Sequence, residues 1–279
     1  MEGNPGTLTP EKLAICRRAG VNRLSLGAQS FDTGLLRSLG RIHTSGQIAE
    51  AVRMAREAGF DNLNLDLMYA LPGQSMEQWS DTLDRAAALN AEHLSAYSLI
   101  VEEGTPMAAR VAKGEAVIPE DEAVNAMQRL AVERLAGAGY ARYEISNYAR
   151  PGRECRHNLV YWRRGDYLGL GCAAHSLVDG ARFENAASLE DYLSGKRGLN
   201  VQRLTREDAM EETLMLATRT VMGLSLEDWR RDFGEDFAEG RADRLKRLAR
   251  AGYVAVDDGW LRLTIRGLEV QDAVVLELL

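Results

Sequence analysis

Three groups of side chains in this sequence have types and spacings that can do chemistry. In the first, the predicted strand 22–26 runs into Gly27 and then reaches the amide of Gln29. A polar side chain at the carboxyl end of a parallel strand faces the edge where ligands bind. Arg41 follows, and a guanidinium can grip a carboxylate through two parallel hydrogen bonds. Gln29 and Arg41 are therefore candidate binding residues, although a satisfied amide and a solvated arginine fit the same pattern.

The second group centres on an acidic residue inside an apolar strand pattern. Asp66 lies among Leu63, Leu65 and Leu67. A carboxylate in such surroundings is costly unless it is paired or hydrogen-bonded. The diol of a ribose would satisfy it, and so would a salt bridge to a neighbouring strand. The sequence leaves both roles open.

The third group is a compact polar and aromatic cluster. His157 and Asn158 are followed closely by Tyr161 and Trp162. Imidazole is a ligand of haem iron, and aromatic rings pack against a macrocycle. The cluster makes His157 a candidate haem ligand with Tyr161 and Trp162 as flat walls. A packed, hydrogen-bonded histidine is the structural alternative.

A glycine-rich loop at 169–176 follows this cluster and contains a second candidate, His175. Small residues in such a loop let a ligand approach the backbone. The three cysteines, Cys16, Cys155 and Cys172, lack the C-x-x-C spacing of a zinc or iron–sulfur site. They are also too few and too scattered for a disulfide framework, which favours a reducing cytoplasm.

The elements that must position these groups alternate between helix and strand over the first part of the chain. Apolar spacing and end signals predict helices at 10–19, 45–58 and 75–89 and strands at 22–26, 62–68 and 93–100. This order indicates parallel strands joined by helical crossovers. An open doubly wound sheet and a TIM-type barrel both fit it. In either fold, Gln29 and Asp66 lie at the carboxyl edge of the sheet.

The remainder of the chain changes character. It predicts a helix at 120–138, strands and turns at 140–185, helices at 205–221, 225–232 and 238–251, and a hairpin of 253–257 with 260–264. Helices followed by such a hairpin outline a winged helix. Residues 200–279 carry 12 Lys/Arg and 16 Asp/Glu, whereas a region that binds DNA is usually basic. We therefore expect a structural or protein-contact role for this part.

Composition limits the class of protein. The 279 residues are 46% hydrophobic and 27% charged, with a net charge of −7. These values fit a globular protein and exclude disordered, collagen-like and coiled-coil classes. The negative charge disfavours nucleic acid as a partner. No apolar run is long enough to span a membrane and no secretion leader is visible, so we expect a cytoplasmic protein.

Seven motifs occur in order over most of the chain. They are EGNPGT at 2–7, SLGAQSFD at 25–32, LGRIH at 39–43, DLMYALPGQ at 66–74, SAYSLIVEEGTPM at 95–107, YEISNYARPGRECRHNLVYW at 143–162 and GLGCAAHS at 169–176. Together they resemble the radical S-adenosylmethionine family around oxygen-independent coproporphyrinogen III oxidase. Within that family, HNLVYW at 157–162 resembles the haem-chaperone subgroup rather than the true oxidase.

The resemblance implies an α/β fold. We expect a partial (β/α)6 barrel of the TIM-like type that lacks its first strands, plus a small C-terminal helical, winged-helix-like domain. The expected regions are the remaining barrel at 1–115, a family-specific extension with the HNLVYW motif at 116–199, and the C-terminal helical and wing domain at 200–279.

The resemblance also implies a pocket for S-adenosylmethionine. The family's pocket positions match Glu2, Gln29, Arg41, Asp66 and Ile100. The cofactor offers a ribose diol and an ammonium group, which suit acidic and amide side chains. Its carboxylate suits Arg41.

One family feature is missing from this sequence. The family's C-x-x-x-C-x-x-C loop, whose thiolates hold a 4Fe-4S cluster, does not occur. The resemblance therefore implies that a cluster belongs only to a full-length version. Without it no electron reaches the sulfonium and no radical forms. We expect no cluster ligands in this chain, and whether the chain is an enzyme stays open.

The leading hypothesis is a haem chaperone that delivers haem to respiratory proteins. In complete form it would also bind S-adenosylmethionine and the cluster. The residues assigned to haem are His157, Asn158, Tyr161, Trp162 and His175, with His157 as the iron ligand. A membrane-associated partner and a dimer are compatible with this hypothesis, and nucleic acid is not an expected partner.

Two alternatives stay open. The barrel motifs also fit an oxygen-independent coproporphyrinogen III oxidase, a radical enzyme that decarboxylates porphyrinogen propionates, although HNLVYW points away from it. The chain also fits an inactive truncated fragment, because a barrel without its first strands exposes an unpaired strand edge and apolar surface. Poor solubility or dimerisation through that edge would favour this last alternative.

Overall fold

The computed structural model describes residues 1–279 and divides them into two compact units. The units are Met1–Glu154 and Cys155–Leu279. Each has its own cluster of buried apolar side chains. The region boundaries predicted at 115/116 and 199/200 stay predictions.

The first unit alternates strands and helices, as predicted. Its strands are β1 (Glu2–Gly3), β2 (Leu24–Gln29), β3 (Leu63–Tyr69), β4 (His93–Ser98), β5 (Ala141–Arg142) and β6 (Asn147–Ala149). Its helices are α1 (Pro10–Arg18), α2 (Thr33–Ser38), α3 (Ser45–Glu57), α4 (Met76–Ala88), α5 (Pro106–Ala112) and α6 (Asp121–Gly137), with a short 3₁₀ helix at Pro5–Thr7. The strands form one sheet in the order β1-β2-β3-β4-β6-β5. The first four are parallel, and β6 and β5 continue the sheet in antiparallel pairs.

The two faces of this sheet differ because side chains alternate along each strand. One face carries buried leucines, among them Leu26 and Leu65, which belong to one apolar core with the helices. Buried side chains of α3, α4 and α6 complete that core, including Ile48, Trp79 and Met127. The opposite face carries the polar residues of the same strands. The fold thus leaves polar strand positions available for a site.

Two predicted strand ends need correction. The structure continues β2 to Gln29 rather than ending it at residue 26, with an irregular register beyond Leu26. It ends β4 at Ser98, so Ile100 lies outside the strand. Gly27 is therefore a residue within β2, and a glycine alone does not terminate a strand.

The second unit contains short helices and two three-stranded sheets. Its helices are α7 (Arg156–Trp162), α8 (Leu189–Leu193), α9 (Arg206–Ala217), α10 (Leu226–Phe233), α11 (Ala242–Arg250), α12 (Ile265–Glu269) and α13 (Gln271–Leu278). Its strands are β7 (His175–Val178), β8 (Ala181–Glu184), β9 (Leu199–Arg203), β10 (Leu224–Ser225), β11 (Val254–Asp257) and β12 (Trp260–Leu263). The sheet orders are β7-β8-β9 and β10-β12-β11. Helices α9 to α11 followed by the β11–β12 hairpin confirm the winged-helix-like outline.

One prediction for this unit is incomplete. The stretch 140–185, predicted as strands and turns, also contains helix α7. This helix has only seven residues, which is too short for apolar periodicity to distinguish it from a turn. Its position matters because it carries the HNLVYW motif.

Candidate functional site

An unusual backbone conformation holds Gln29 at the carboxyl end of β2. The register between β2 and β3 shifts between Leu26 and Gln29, and Gln29 has a φ of 63°. This left-handed conformation is uncommon for a residue with a Cβ and clusters at ligand sites. Gln29 is only 3% exposed, and its Oε1 accepts a hydrogen bond from the Tyr97 hydroxyl at 3.1 Å. The strand end therefore holds an amide of fixed orientation.

Asp66 lies on the polar face of β3 and receives hydrogen bonds from neutral donors. Its Oδ2 accepts from the Ser25 hydroxyl at 2.6 Å, and its Oδ1 accepts from Asn64 Nδ2 at 2.8 Å. The residue is half-buried. Each carboxylate oxygen has a second lone pair, so Asp66 can still accept from the hydroxyls of a ligand. The salt bridge considered from the sequence is not what satisfies this carboxylate.

Arg41 and Glu2 lie near the same place. Arg41 Nη1 donates to Asn4 Oδ1 at 2.9 Å. Burial raises the pKa of Tyr97, and the negative charges of Asp66 and Glu2 raise it further, whereas the Arg41 guanidinium lowers it. The electrostatic environment of Tyr97 thus depends on all three charged side chains.

Gly27 leaves room for the side chains of Gln29 and Asn4, because it has no Cβ. A Cβ at that position would lie 3.0 Å from Gln29 Nε2 and 3.3 Å from Asn4 Oδ1. Contacts this short are tighter than ordinary van der Waals packing. A side chain at position 27 would therefore push against both amides, so the glycine belongs to the site rather than to a turn.

Ile100 differs from the other residues assigned to this pocket. It follows the end of β4, and it is 73% exposed. It is therefore a surface residue close in sequence to Tyr97. Its assignment to the wall of a pocket stays a prediction.

The grouped side chains match the chemistry of S-adenosylmethionine. The Asp66 carboxylate can accept from two ribose hydroxyls, and the Arg41 guanidinium can pair with the methionine carboxylate. Gln29 and Glu2 can accept from an ammonium group. The residues present therefore fit this cofactor.

Sequence reasoning missed three members of this site, namely Ser25, Asn64 and Tyr97. Each lies on the same sheet face as Asp66, since residues two apart along a strand share a face. The signal was present in the alternation of Asn64 with Asp66 and of Ser95 with Tyr97. The apolar alternation on the opposite face of the same strands is the stronger signal and masks it.

In the second unit, α7 brings two residues of the HNLVYW motif into contact. His157 and Tyr161 are one helical turn apart, and the Tyr161 hydroxyl lies 2.7 Å from His157 Nε2. Tyr161 also packs edge-on against Tyr167, with ring centroids 4.7 Å apart. His157 is exposed and Tyr161 is half-buried. The helix thus presents an imidazole to solvent beside an aromatic pair.

The other two residues of the motif are engaged elsewhere. Trp162 is half-buried, and the Arg219 guanidinium lies over its ring at 5.1 Å. Asn158 is also half-buried. Because Arg219 occupies one face of the indole, Trp162 offers at most its other face or edge to a ligand. Its role as a flat wall stays a prediction.

The glycine-rich loop lies against the strand that carries His175. A Cβ at Gly169 would come within 2.3 Å of the His175 carbonyl oxygen, so only glycine permits this close approach. Leu168 and Leu170 on either side are 64% and 83% exposed. His175 Nε2 lies 3.4 Å from the Glu184 carboxylate on β8. The loop therefore presents apolar side chains to solvent near a second histidine.

The cysteines of this chain do not fit an iron–sulfur cluster. Cys16 belongs to the first unit, whereas Cys155 and Cys172 belong to the second. No group of three or more His, Cys, Asp or Glu side chains within residues 1–279 is arranged to hold a metal ion.

None of the helices has the length and apolar character needed to cross a membrane.

Comparison with known proteins gives consistent results for both ends of the chain. The profile of the radical SAM superfamily matches residues 1–86. The profile of the HemN C-terminal domain matches residues 204–270. The structure of coproporphyrinogen III oxidase (HemN) from Escherichia coli, described as a radical SAM enzyme, aligns with a TM-score of 0.81 at 25% identity. That alignment covers 99% of this chain and 68% of the oxidase. It confirms the predicted α/β, partial-barrel fold with its C-terminal domain.

Sequence relatives narrow the family further. The protein named heme chaperone HemW from Bacillus subtilis is 35% identical over 272 residues, which cover 96% of this chain and 72% of that protein. HemW from Mycobacterium tuberculosis is 36% identical over 283 residues, covering 100% of this chain and 70% of that protein. HemW from Escherichia coli is 44% identical over 178 residues, covering 64% and 46%. The chain belongs to the HemW family of haem chaperones within the radical SAM superfamily.

Proposed function

We propose that this chain binds haem on its second unit, with His157 as the iron ligand. The observation that supports this best is the exposed imidazole of His157, held beside Tyr161 on helix α7. His43 and His93, by contrast, are buried. Neutral imidazole ligates haem iron readily, and a ligand on the surface needs no opening of the fold.

The surroundings of His157 suit a large, flat, partly anionic molecule. Tyr161 and Tyr167 offer aromatic surface, and Leu168 next to them is exposed. Partly exposed aromatic rings and an exposed apolar side chain favour burial against a macrocycle. Arg156 is also exposed on α7 and can pair with a propionate.

His175 is the second candidate for the iron. Its imidazole is paired with Glu184 across the β7–β8 ladder. The Glu184 carboxylate therefore lies against the ring nitrogen that would have to face the iron. His157, whose Nε2 faces a hydroxyl rather than a carboxylate, is therefore our first candidate.

Hemin titration followed by the Soret band tests this assignment. We expect His157→Ala to weaken hemin binding at least about tenfold and to change the band. His175→Ala is the matched control, since it removes the other exposed imidazole, and it should have a smaller effect. Unchanged affinity and spectrum in His157→Ala would refute the assignment.

Delivery of haem onward is part of the same proposal. The relatives are named heme chaperones, and a ligand held on an open surface is accessible to an acceptor. We expect the haem-loaded chain to give up haem to apomyoglobin, a surrogate for a haem-accepting respiratory protein. Retention of haem under excess apomyoglobin would argue for storage rather than delivery.

The first unit, we propose, binds S-adenosylmethionine through Gln29, Arg41 and Asp66, with Glu2 and Ile100 at its margin. The support is that the first three lie with Tyr97 and Ser25 on the polar side of the sheet, linked by hydrogen bonds and charge. The superfamily pairs this cofactor with a 4Fe-4S cluster, which the residues of this chain do not hold. Binding without the cluster is therefore expected to be weak.

Isothermal titration with S-adenosylmethionine tests this site. Asp66→Asn keeps the size of the side chain but removes its charge, and it should weaken binding about tenfold. Asp81→Asn is the control, because Asp81 is an exposed acid on α4 of the same unit. Equal affinity of wild type and Asp66→Asn would exclude Asp66 from the site.

A further inference from the structure

We infer that His93 is a positioning residue, which holds the Asp66 carboxylate in the orientation that a ribose diol requires by acting through Asn64. This inference rests on the proposed S-adenosylmethionine site. His93 does not bond to Asp66 itself, and nothing in the sequence motifs assigns it a role. The argument comes from a continuous chain of hydrogen bonds on the polar face of the sheet.

The chain of hydrogen bonds runs from the buried interior to the half-buried carboxylate. The Tyr143 hydroxyl lies 2.8 Å from His93 Nε2, and His93 Nδ1 lies 2.6 Å from Asn64 Oδ1. Asn64 Nδ2 lies 2.8 Å from Asp66 Oδ1 and 2.7 Å from the Ser25 hydroxyl. Ser25 in turn donates to Asp66 Oδ2. Asn64 itself therefore fixes one oxygen of Asp66, and Ser25, which Asn64 contacts, fixes the other.

Donors and acceptors can be arranged in only one direction along this series of hydrogen bonds. An ionised Asp66 can only accept, so the Asn64 side chain must point its NH₂ group toward Asp66. Its carbonyl oxygen must then face His93, which requires a proton on His93 Nδ1. The unprotonated Nε2 is left to accept from Tyr143. The proton on His93 Nδ1 thus holds the Asn64 carbonyl oxygen in place.

Burial keeps His93 in the neutral form that this direction requires. His93 is 1% exposed, and burial, with a smaller contribution from Arg23, lowers its pKa to about 3. A neutral imidazole has one donor and one acceptor, and the contacts with Asn64 and Tyr143 use both. If the Asn64 amide turned over, its oxygen would face the Asp66 carboxylate, which is electrostatically unfavourable.

The test compares two nucleosides that differ only in the diol. The probes are adenosine and 2′,3′-dideoxyadenosine, and the readout is the ratio of their dissociation constants. We expect the wild type to bind adenosine more tightly than dideoxyadenosine. His93→Phe keeps a ring of similar size, and we expect the ratio of the two dissociation constants to fall about tenfold in this variant. Binding of dideoxyadenosine should not change. His93→Leu serves if the Phe variant does not fold, as judged by circular dichroism.

Two further variants separate positioning from structure. His93→Asn places an amide N–H near the position of Nδ1, so it should restore most of the preference for the diol. Tyr140→Phe removes a different buried hydroxyl, which donates to the Ala91 carbonyl at 2.7 Å. That control should leave the ratio unchanged, even if it lowers stability.

The outcomes distinguish this inference from the proposed site. If Asp66→Asn loses the preference but His93→Phe keeps it, the role of His93 is refuted and the site stands. If His93→Phe weakens both nucleosides equally, His93 is only structural and the inference is also refuted. If wild type shows no preference, or Asp66→Asn retains it, the site itself fails and the inference falls with it.

Discussion

The buried imidazole of His93 makes the stability of the first unit depend on pH. Its pKa is about 3 in the fold against 6.5 ordinarily, so the unfolded chain takes up the proton at a higher pH than the folded chain. The stability contributed by neutral His93 is complete above pH 6.5 and is lost as the pH falls toward 3. From pH 6.5 to pH 4 this amounts to about 3 kcal/mol.

Urea unfolding at several pH values measures this dependence. Below pH 6.5 the free energy of unfolding of the wild type should fall more steeply than that of His93→Phe. The difference between the two decreases should reach about 3 kcal/mol at pH 4. His43 titrates in the same direction, because burial lowers its pKa as well, but it is present in both proteins and cancels in the difference. Parallel curves would show that His93 is not the responsible group.

At the level of single residues, the sequence predicted those whose type is unusual for their position. Gln29 and Asp66 stood out because a polar group follows or interrupts an apolar pattern. Tyr97 and Asn64 did not stand out, because tyrosine and asparagine at the polar positions of an alternating strand need no explanation. Their role arises from cross-strand neighbours such as Ser25, whose register no single sequence specifies.

Helix α4 shows how strongly local sequence can define an element. Ser75 caps it: the Ser75 hydroxyl accepts from Gln78 N at 3.2 Å, and Gln78 Oε1 accepts from Ser75 N at 2.9 Å. This reciprocal capping box satisfies two backbone donors that a helix start leaves unpaired. A serine directly before an amphipathic stretch is a sequence signal for such a cap.

Replacement of that cap should cost measurable stability. We expect Ser75→Ala to lower the free energy of unfolding of the first unit by about 1 kcal/mol. Ser80→Ala, within the same helix, is the control and should have no cost, because alanine is the better helix former there. Urea denaturation of both variants gives the comparison, and equal midpoints would mean that the cap contributes nothing.

Helix α7 shows the opposite case. Its seven residues include an aromatic pair and no buried side chain, so no apolar stripe marks it. The contact between His157 and Tyr161 needs their one-turn spacing, which a strand would not provide. The HNLVYW motif could be identified from the sequence, whereas the helix that gives it its geometry could not.

At the scale of the whole molecule, the chain carries two separate apolar cores. Leu65 on β3 is fully buried in the first, and Leu261 on β12 is fully buried in the second. A buried leucine replaced by alanine costs about 2–5 kcal/mol. Because each residue belongs to one core, each substitution should destabilise one unit.

Differential scanning calorimetry of the two variants checks this expectation. Leu65→Ala should lower the temperature of one transition and Leu261→Ala that of the other. The affinity for hemin should be unchanged in Leu65→Ala at temperatures where the second unit remains folded. A single transition lowered by both substitutions would show that the units unfold together.

The fixed direction of the hydrogen bonds from Tyr143 to Asp66 has a consequence for spectroscopy. An ionised carboxylate at one end demands that His93 carry its proton on Nδ1, and nitrogen chemical shifts distinguish the two neutral tautomers of imidazole. A ligand that donates hydrogen bonds to Asp66 alters the strength of the hydrogen bond from Asn64 to Asp66. It should thereby also alter the chemical shift of His93 Nδ1. Because His93 contacts Asn64 rather than Asp66, we expect the signal of its ring to report the occupancy of Asp66 indirectly.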